Sequence, residues 1–250
     1  MKKTVLNNFG DRHLTQGEKD QRAQLSRAAR PRVAATIVLT HGPRDNPRIL
    51  MGKRSARHDF MPSVYVFPGG RIDRADSYAA YMGELTPRNA RILEAAFTPR
   101  KARAVVLAAI RETYEETSLF LAQQAQVQKN VNHPSWDAFR AAGLKADLSD
   151  IDVFGRAVTP PHRHKRFDAW FFHKDMGEGP LPGIKDSAEL LDVGWFTFEQ
   201  IKELELQRAT KMMIDVLQDY LKYDRPPRDI FYSYARNGKY LSETFPNALP

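Results

Sequence analysis

The chain of 250 residues has no cysteine, is 42% hydrophobic and 27% charged, and carries a formal net charge of +8 from 38 Lys and Arg against 30 Asp and Glu. That balance excludes a disordered or fibrous chain, and the missing thiols exclude disulfides, thiolate zinc sites, iron–sulfur clusters and a cysteine nucleophile. Any metal must be held by oxygen or imidazole ligands, which favours a hard cation.

Residues 1–31 read as a basic lead-in, since eight Lys or Arg and only three acids fall within residues 1–32. Met1-Lys2-Lys3 imitates the start of a signal peptide. Asn7, Asn8, Gly10, Asp11 and Arg12 then stand where an apolar segment should follow, so a cytoplasmic location is expected. The arm lacks interleaved aromatics and reads as solvated, and no nucleic-acid partner is expected. The longest apolar run, residues 104–110, is far short of the roughly 20 residues that cross a bilayer, so no membrane partner is expected either.

From residue 32 the pattern becomes that of a folded domain reaching about residue 224. Residues 33–40 and 49–53 read as strands around a turn-rich segment, and residues 65–67 as another strand ending at Pro68-Gly69-Gly70. Residues 77–97 predict short helical pieces broken at Pro87 and Pro99. Residues 102–122, free of Gly and Pro, predict a long helix. A shorter helix is expected over 136–142, strands over 152–158, 167–173 and 190–196, and a second long helix over 198–223 with apolar residues at helical spacing. The tail, 225–250, carries Phe231, Tyr232, Tyr234, Tyr240 and Phe245 without clear periodicity. Its role is open between covering the core and forming a homodimer contact. Irregular alternation of strands and helices predicts an α/β class with a mixed sheet packed between helices.

The chemistry concentrates in Arg111-Glu112-Thr113-Tyr114-Glu115-Glu116. On a helix Glu112, Glu115 and Glu116 stand at i, i+3 and i+4 and share one face. Like charges so spaced cost a bare helix about 0.2–0.5 kcal/mol per pair, so the trio calls for solvent or for a cation. A solvated acidic face is the usual meaning of such a run. Here Val105, Ala108 and Leu119 lie on the same stripe, so the carboxylates interrupt an apolar surface, and Mg²⁺ or Mn²⁺ would neutralise them. Upstream, Gly69 and Gly70 permit positive φ and close approach to the backbone.

Together Gly70, Asp76 and Arg111-Glu112-x-x-Glu115-Glu116 resemble the Nudix box, G-x5-E-x7-R-E-U-x-E-E-x-G-U, in which U is a bulky aliphatic residue. Asp76 stands where the first Glu is expected, Thr113 takes an aliphatic position, and Ser118 replaces the glycine. Residues 77–110 number 34 where the motif has 7, so the box is split. With Phe67-Pro68-Gly69-Gly70-x-x-Asp73-x-x-Asp76, Arg54-Ser55, Thr159-Pro160 and Arg166-Phe167-Asp168, it resembles the Nudix subgroup related to peroxisomal coenzyme A diphosphatases.

The resemblance implies an α/β/α sandwich with a helical insert near residues 77–101 lying beside the active site. It also implies hydrolysis of a pyrophosphate in a nucleoside diphosphate derivative, of coenzyme A-like, ADP-ribose-like or dinucleoside polyphosphate type, with Mg²⁺ or Mn²⁺. Glu112, Glu115 and Glu116 are then the metal ligands, Arg111 their positioning cation, and one of them or Glu189 the general base. Arg54, Gly69, Gly70, Arg71 and Arg166 are the expected substrate-binding residues. The alternative is a non-catalytic nucleotide-binding sensor, against which the intact glutamates speak. The apolar Leu119, Phe120 and Leu121 predict that the helix continues about a turn past Ser118.

Overall fold

Strand β2 (Arg32–His41) is the axis of the fold in the computed structural model, which describes residues 4–5, 29–56, 62–125, 133–161, 163, 165–236 and 239–246. The chain begins with β1 (Thr4–Val5) and, after β2, runs through β3 (Arg48–Arg54), β4 (Tyr65–Val66) and β5 (Gly69–Arg71). A 3₁₀ turn over Arg74–Tyr78, β6 (Tyr81–Met82), α1 (Pro87–Glu94) and α2 (Pro99–Thr117) follow. Next come β7 (Ala122–Gln124), a 3₁₀ turn over Pro134–Trp136, α3 (Asp137–Ala141), β8 (Leu144–Asp147), β9 (Asp152–Val158) and β10 (Phe167–Asp175). The chain closes with β11 (Leu190–Thr197), α4 (Phe198–Lys202), α5 (Arg208–Leu221), β12 (Ile230–Arg236) and β13 (Lys239–Phe245).

Among the described residues ten strands make one mixed sheet in the order β1-β13-β12-β9-β10-β2-β3-β11, with β4 on β3 and β5 on β2. Strand β2 runs parallel to β10 along nine residue pairs and antiparallel to β5 through Ala34–Arg71, Ala35–Gly70 and Thr36–Gly69. Because successive side chains leave a strand on opposite faces, Ala35, Ile37 and Leu39 pack under α2 while Val38 packs with Met213 and Leu217 of α5. The sheet is thus covered on both sides, the α/β/α arrangement expected. A second sheet, β6-β8-β7, sits beside it. Among the described residues no helix is long and apolar enough to cross a membrane.

Four expectations are corrected. Helix α2 starts earlier, with Pro99 in its first turn, and it stops at Thr117. Ser118 adopts φ 60° and ψ 12° and donates its N–H to Tyr114 O at 2.8 Å, a left-handed cap in place of a further turn. Leu119 and Leu121 are buried after the chain has turned, and Phe120 stacks on Tyr114 with ring centroids 4.1 Å apart, so apolar burial is met without helix. The expected helix over 198–223 is two helices. Between them the backbone of 205–206 pairs with Tyr65, whose N–H donates to Glu205 O at 2.9 Å.

The tail is a hairpin, β12–β13, whose aromatics are divided between both faces, which hides the two-residue period. Finally, the segment between the two halves of the box is not all helical and not all beside the cleft. Tyr81 and Met82 form a strand, and α1 is pinned to the start of β9 by Asn89 Nδ2 donating to Ile151 O at 2.6 Å and Arg88 Nη1 donating to Val153 O at 2.9 Å.

A non-glycine residue in the left-handed region costs on the order of 1 kcal/mol. Ser118→Gly should therefore stabilise the protein by roughly 0.5–1 kcal/mol, raising the thermal midpoint by about 1–4 °C for a chain this long. A lower midpoint in a differential scan would refute the strained-cap account.

Candidate active site

The C-terminal half of α2 lies against β5, and the contact is made by the glycines. A Cβ on Gly69 would fall on Thr36 Cα at 2.6 Å and on Ala35 O, and one on Gly70 would overlap the Glu112 carboxylate. Only a glycine pair lets the loop sit flat on the sheet and on the helix at once. The loop repays the approach with a hydrogen bond, Gly69 N–H donating to Glu116 Oε2 at 2.8 Å.

Arg111 is buried at the centre. Its Nε donates to Asp76 Oδ1 at 2.8 Å, Nη2 to Asp76 Oδ2 at 3.3 Å and to Arg71 O at 3.0 Å, and Nη1 to Glu115 Oε2 at 2.6 Å, with Glu112 Oε1 at 2.9 Å. Asp76, at 0% exposure, also accepts from Trp136 Nε1 at 3.2 Å and from Asp73 N–H at 2.7 Å. Burial alone would disfavour the Arg111 charge, but Asp76, Glu112 and Glu115 outweigh it and hold the guanidinium above its ordinary range.

The glutamates are poised differently. Burial pushes Glu112 up to about 7, with Glu115 adding and Arg111 opposing. Burial likewise pushes Glu116 up to about 8, Glu112 and Glu189 adding while the Gly69 N–H and Arg54 oppose. Glu115, which is half in solvent, is raised by burial against the pull of Arg111. Among the described residues no group of three or more His, Cys, Asp or Glu forms a ready-made metal cage. Glu112 and Glu115 face Arg111, and Glu116 faces the glycine loop.

All three glutamates border one cleft of about 2090 Å³, together with Arg54, Gly69, Gly70, Arg71, Arg111, Arg166 and Glu189. The tertiary structure thus brings together every site residue expected from the sequence. Their situations differ. Arg54 is half-buried and its charge disfavoured by desolvation, with Glu116 and Glu189 attracting it. Glu189 is exposed just before β11 and its carbonyl accepts from Ser55 N–H at 2.9 Å. Arg166 donates to Thr159 O at 3.1 Å and Ala29 O at 2.7 Å, so it braces the chain at the cleft wall. The two ends of the insert, Ser77 and Thr98-x-Arg100-Lys101, border the cleft; its middle does not.

Sequence reasoning missed the positioning roles of Asp76 and Trp136. Asp76 carried a signal, because it occupies an acidic place in the motif. Trp136 carried none, since it is 60 residues from Asp76 along the chain.

A glycine loop closed on a helix whose R-E-x-x-E-E turn lines the cleft, inside an α/β/α sandwich, resembles the arrangement that the sequence motif implies. No protein-family model matches the chain. It is 26% identical over 178 residues to nudix hydrolase 7 of Caenorhabditis elegans, covering 66% of this chain and 50% of that protein, so it spans about half the length of that curated relative. A solved Nudix hydrolase from Alicyclobacillus acidocaldarius is 25% identical and superposes with a TM-score of 0.58, covering 77% of this chain and 93% of that one. The chain is thus similar to Nudix hydrolases in sequence and in fold.

Removing one partner of a buried ion pair leaves an uncompensated charge and typically costs about 3–5 kcal/mol. Asp76→Ala should lose that much in urea unfolding and shift the Trp136 fluorescence; a loss below about 1 kcal/mol would demote the pair.

A second expectation concerns pH. Glu112 and Glu116 titrate above the ordinary 4.5 when folded, so the folded state binds more protons than the unfolded one and stability falls as pH rises. Buried His173, depressed to about 4 from 6.5, acts in the opposite sense, but only below about 6.5. Between pH about 6.5 and 8.5 the chelated protein should thus lose stability, and Glu116→Gln should flatten the decline. An upward slope there in wild type contradicts the assignment.

Proposed function

We propose that the protein hydrolyses a pyrophosphate bond in a nucleoside diphosphate linked to another moiety, with Mg²⁺ or Mn²⁺ as cofactor. The observation that carries this reading is the placement of Glu112, Glu115 and Glu116 on one wall of a large cleft that Arg54 and Arg71 also border. Three oxygen-donor carboxylates raised by burial and by neighbouring carboxylates suit a hard divalent cation, and no thiol competes. When bound, such a cation neutralises phosphate charge and lowers the pKa of a water.

The chain's own residues do the rest. Arg111, held by Asp76, fixes the orientation of Glu112 and Glu115, and the Gly69 N–H fixes Glu116. Arg54 and Arg71 neutralise substrate phosphates through charge-assisted hydrogen bonds. Glu189, facing the cleft and close enough to perturb Glu116, takes the proton of the attacking water. The split of the box, with insert residues Ser77, Arg100 and Lys101 at the cleft, supports the coenzyme A-like class among the substrates considered.

Glu115→Gln and Glu116→Gln remove charge at constant volume, so each should lower kcat at least about a hundredfold while circular dichroism is unchanged. The test is a product-analysed screen of coenzyme A, ADP-ribose and dinucleoside polyphosphates with Mg²⁺ and Mn²⁺. Near-normal turnover in both variants defeats the metal-site reading.

A further inference from the structure

The cleft does not end at the glutamates. Its floor crosses the sheet on the α5 side through Ala34 of β2, Ala169 of β10, Ala157 of β9 and Ser233 of β12. These residues stand in one row, because Ala169 pairs with Ala34 and with Ala157, and Ala157 pairs with Ser233. At the far end the same cleft is bordered by Tyr240 of β13 and by Arg208 in the first turn of α5. The Arg208 guanidinium lies 3.7 Å from the centroid of the Tyr240 ring, and both side chains are half-buried. Strand β13 is four strands from β2 in the sheet order, roughly 19 Å at the usual spacing of about 4.8 Å.

We infer that Tyr240 and Arg208 are the nucleobase-recognition end of this cleft, taking the planar heteroaromatic group of an elongated nucleotide whose pyrophosphate lies at the glutamates. The inference rests on the pyrophosphohydrolase reading and deepens it by naming where the base binds. The guanidinium lies over one face of the ring, so the stacked pair presents a base with the plane of the cation and the remaining ring surface, and either stacks on any base.

The pair is also preorganised. On the opposite face of the sheet Arg156 makes a two-point ion pair with Asp168, both contacts at 2.8 Å, and lies 4.7–4.8 Å from the rings of Trp170, Tyr232 and Phe245. That cluster fastens the hairpin β12–β13 to the sheet and so fixes the position of Tyr240. Phe67 and Phe171, which border the cleft too, are core residues under α5 and offer no comparable face.

The experiment is a calorimetric titration of the full chain, free of metal, with adenosine, guanosine and uridine 5′-monophosphates. Wild type should bind them, Tyr240→Leu and Arg208→Met should weaken binding about tenfold, and Tyr240→Phe should restore it. In steady-state assays Tyr240→Leu should raise KM more than it lowers kcat. Undiminished affinity in Tyr240→Leu and Arg208→Met, or absence of binding to wild type, overturns the inference. The two readings separate cleanly: Glu116→Gln should keep the affinity while losing turnover. Tyr240-dependent binding without any hydrolysis would leave the base site standing and defeat the enzyme, and hydrolysis with a KM indifferent to Tyr240 would do the reverse.

Discussion

The buried pair of Arg111 and Asp76 is the constraint on which the site depends. Neither group can be desolvated alone without a cost of several kcal/mol, so each fixes the other, and Arg111 has donors left over for Glu112, Glu115 and the Arg71 carbonyl. One guanidinium thereby ties the loop after β5, the 3₁₀ turn that carries Asp76 and the acidic turn of α2. Trp136 adds a donor to the same carboxylate from a segment far along the chain. The glutamates inherit their geometry from this centre.

The same pair explains why the box can be split. Asp76 and Arg111 are 35 residues apart in sequence, yet closing a loop costs only about 0.6 kcal/mol more for each doubling of its length. Lengthening the spacer from 7 residues to 34 therefore adds on the order of 1–1.5 kcal/mol, less than breaking the pair would cost. The extra chain finds its own anchors as well. Helix α1 binds the backbone of β9 through Arg88 and Asn89, and Arg91 pairs with Asp229 at 2.8 Å.

The cleft is a product of the whole sheet rather than of the box. Strand β5 brings the glycine loop to one end, and the small residues of β2, β10, β9 and β12 keep the floor open. The C-terminal hairpin closes the other end with Tyr240.

The sequence by itself determined the elements whose signal is local. The strands over 152–158 and near 190–196, the central strand β2 and the acidic face of α2 were legible from side-chain period, and the glycine loop from its composition. Arg111, Glu112, Glu115 and Glu116 were legible as a group because their spacing places them together on any helix. What only the tertiary structure decided was where the helices stop and what the distant segments reach. Ser118 ends α2 although its successors favour helix, because Leu119, Phe120 and Leu121 find their burial against Phe139 and the small sheet. Residues 205–206 leave helix to pair with Tyr65, and Trp136, Arg208 and Tyr240 reach the site from segments with no local mark of it. Contacts across long stretches of chain contribute free energies comparable to or larger than the few tenths of a kcal/mol per residue that separate helix from non-helix, and local pattern carries no record of them.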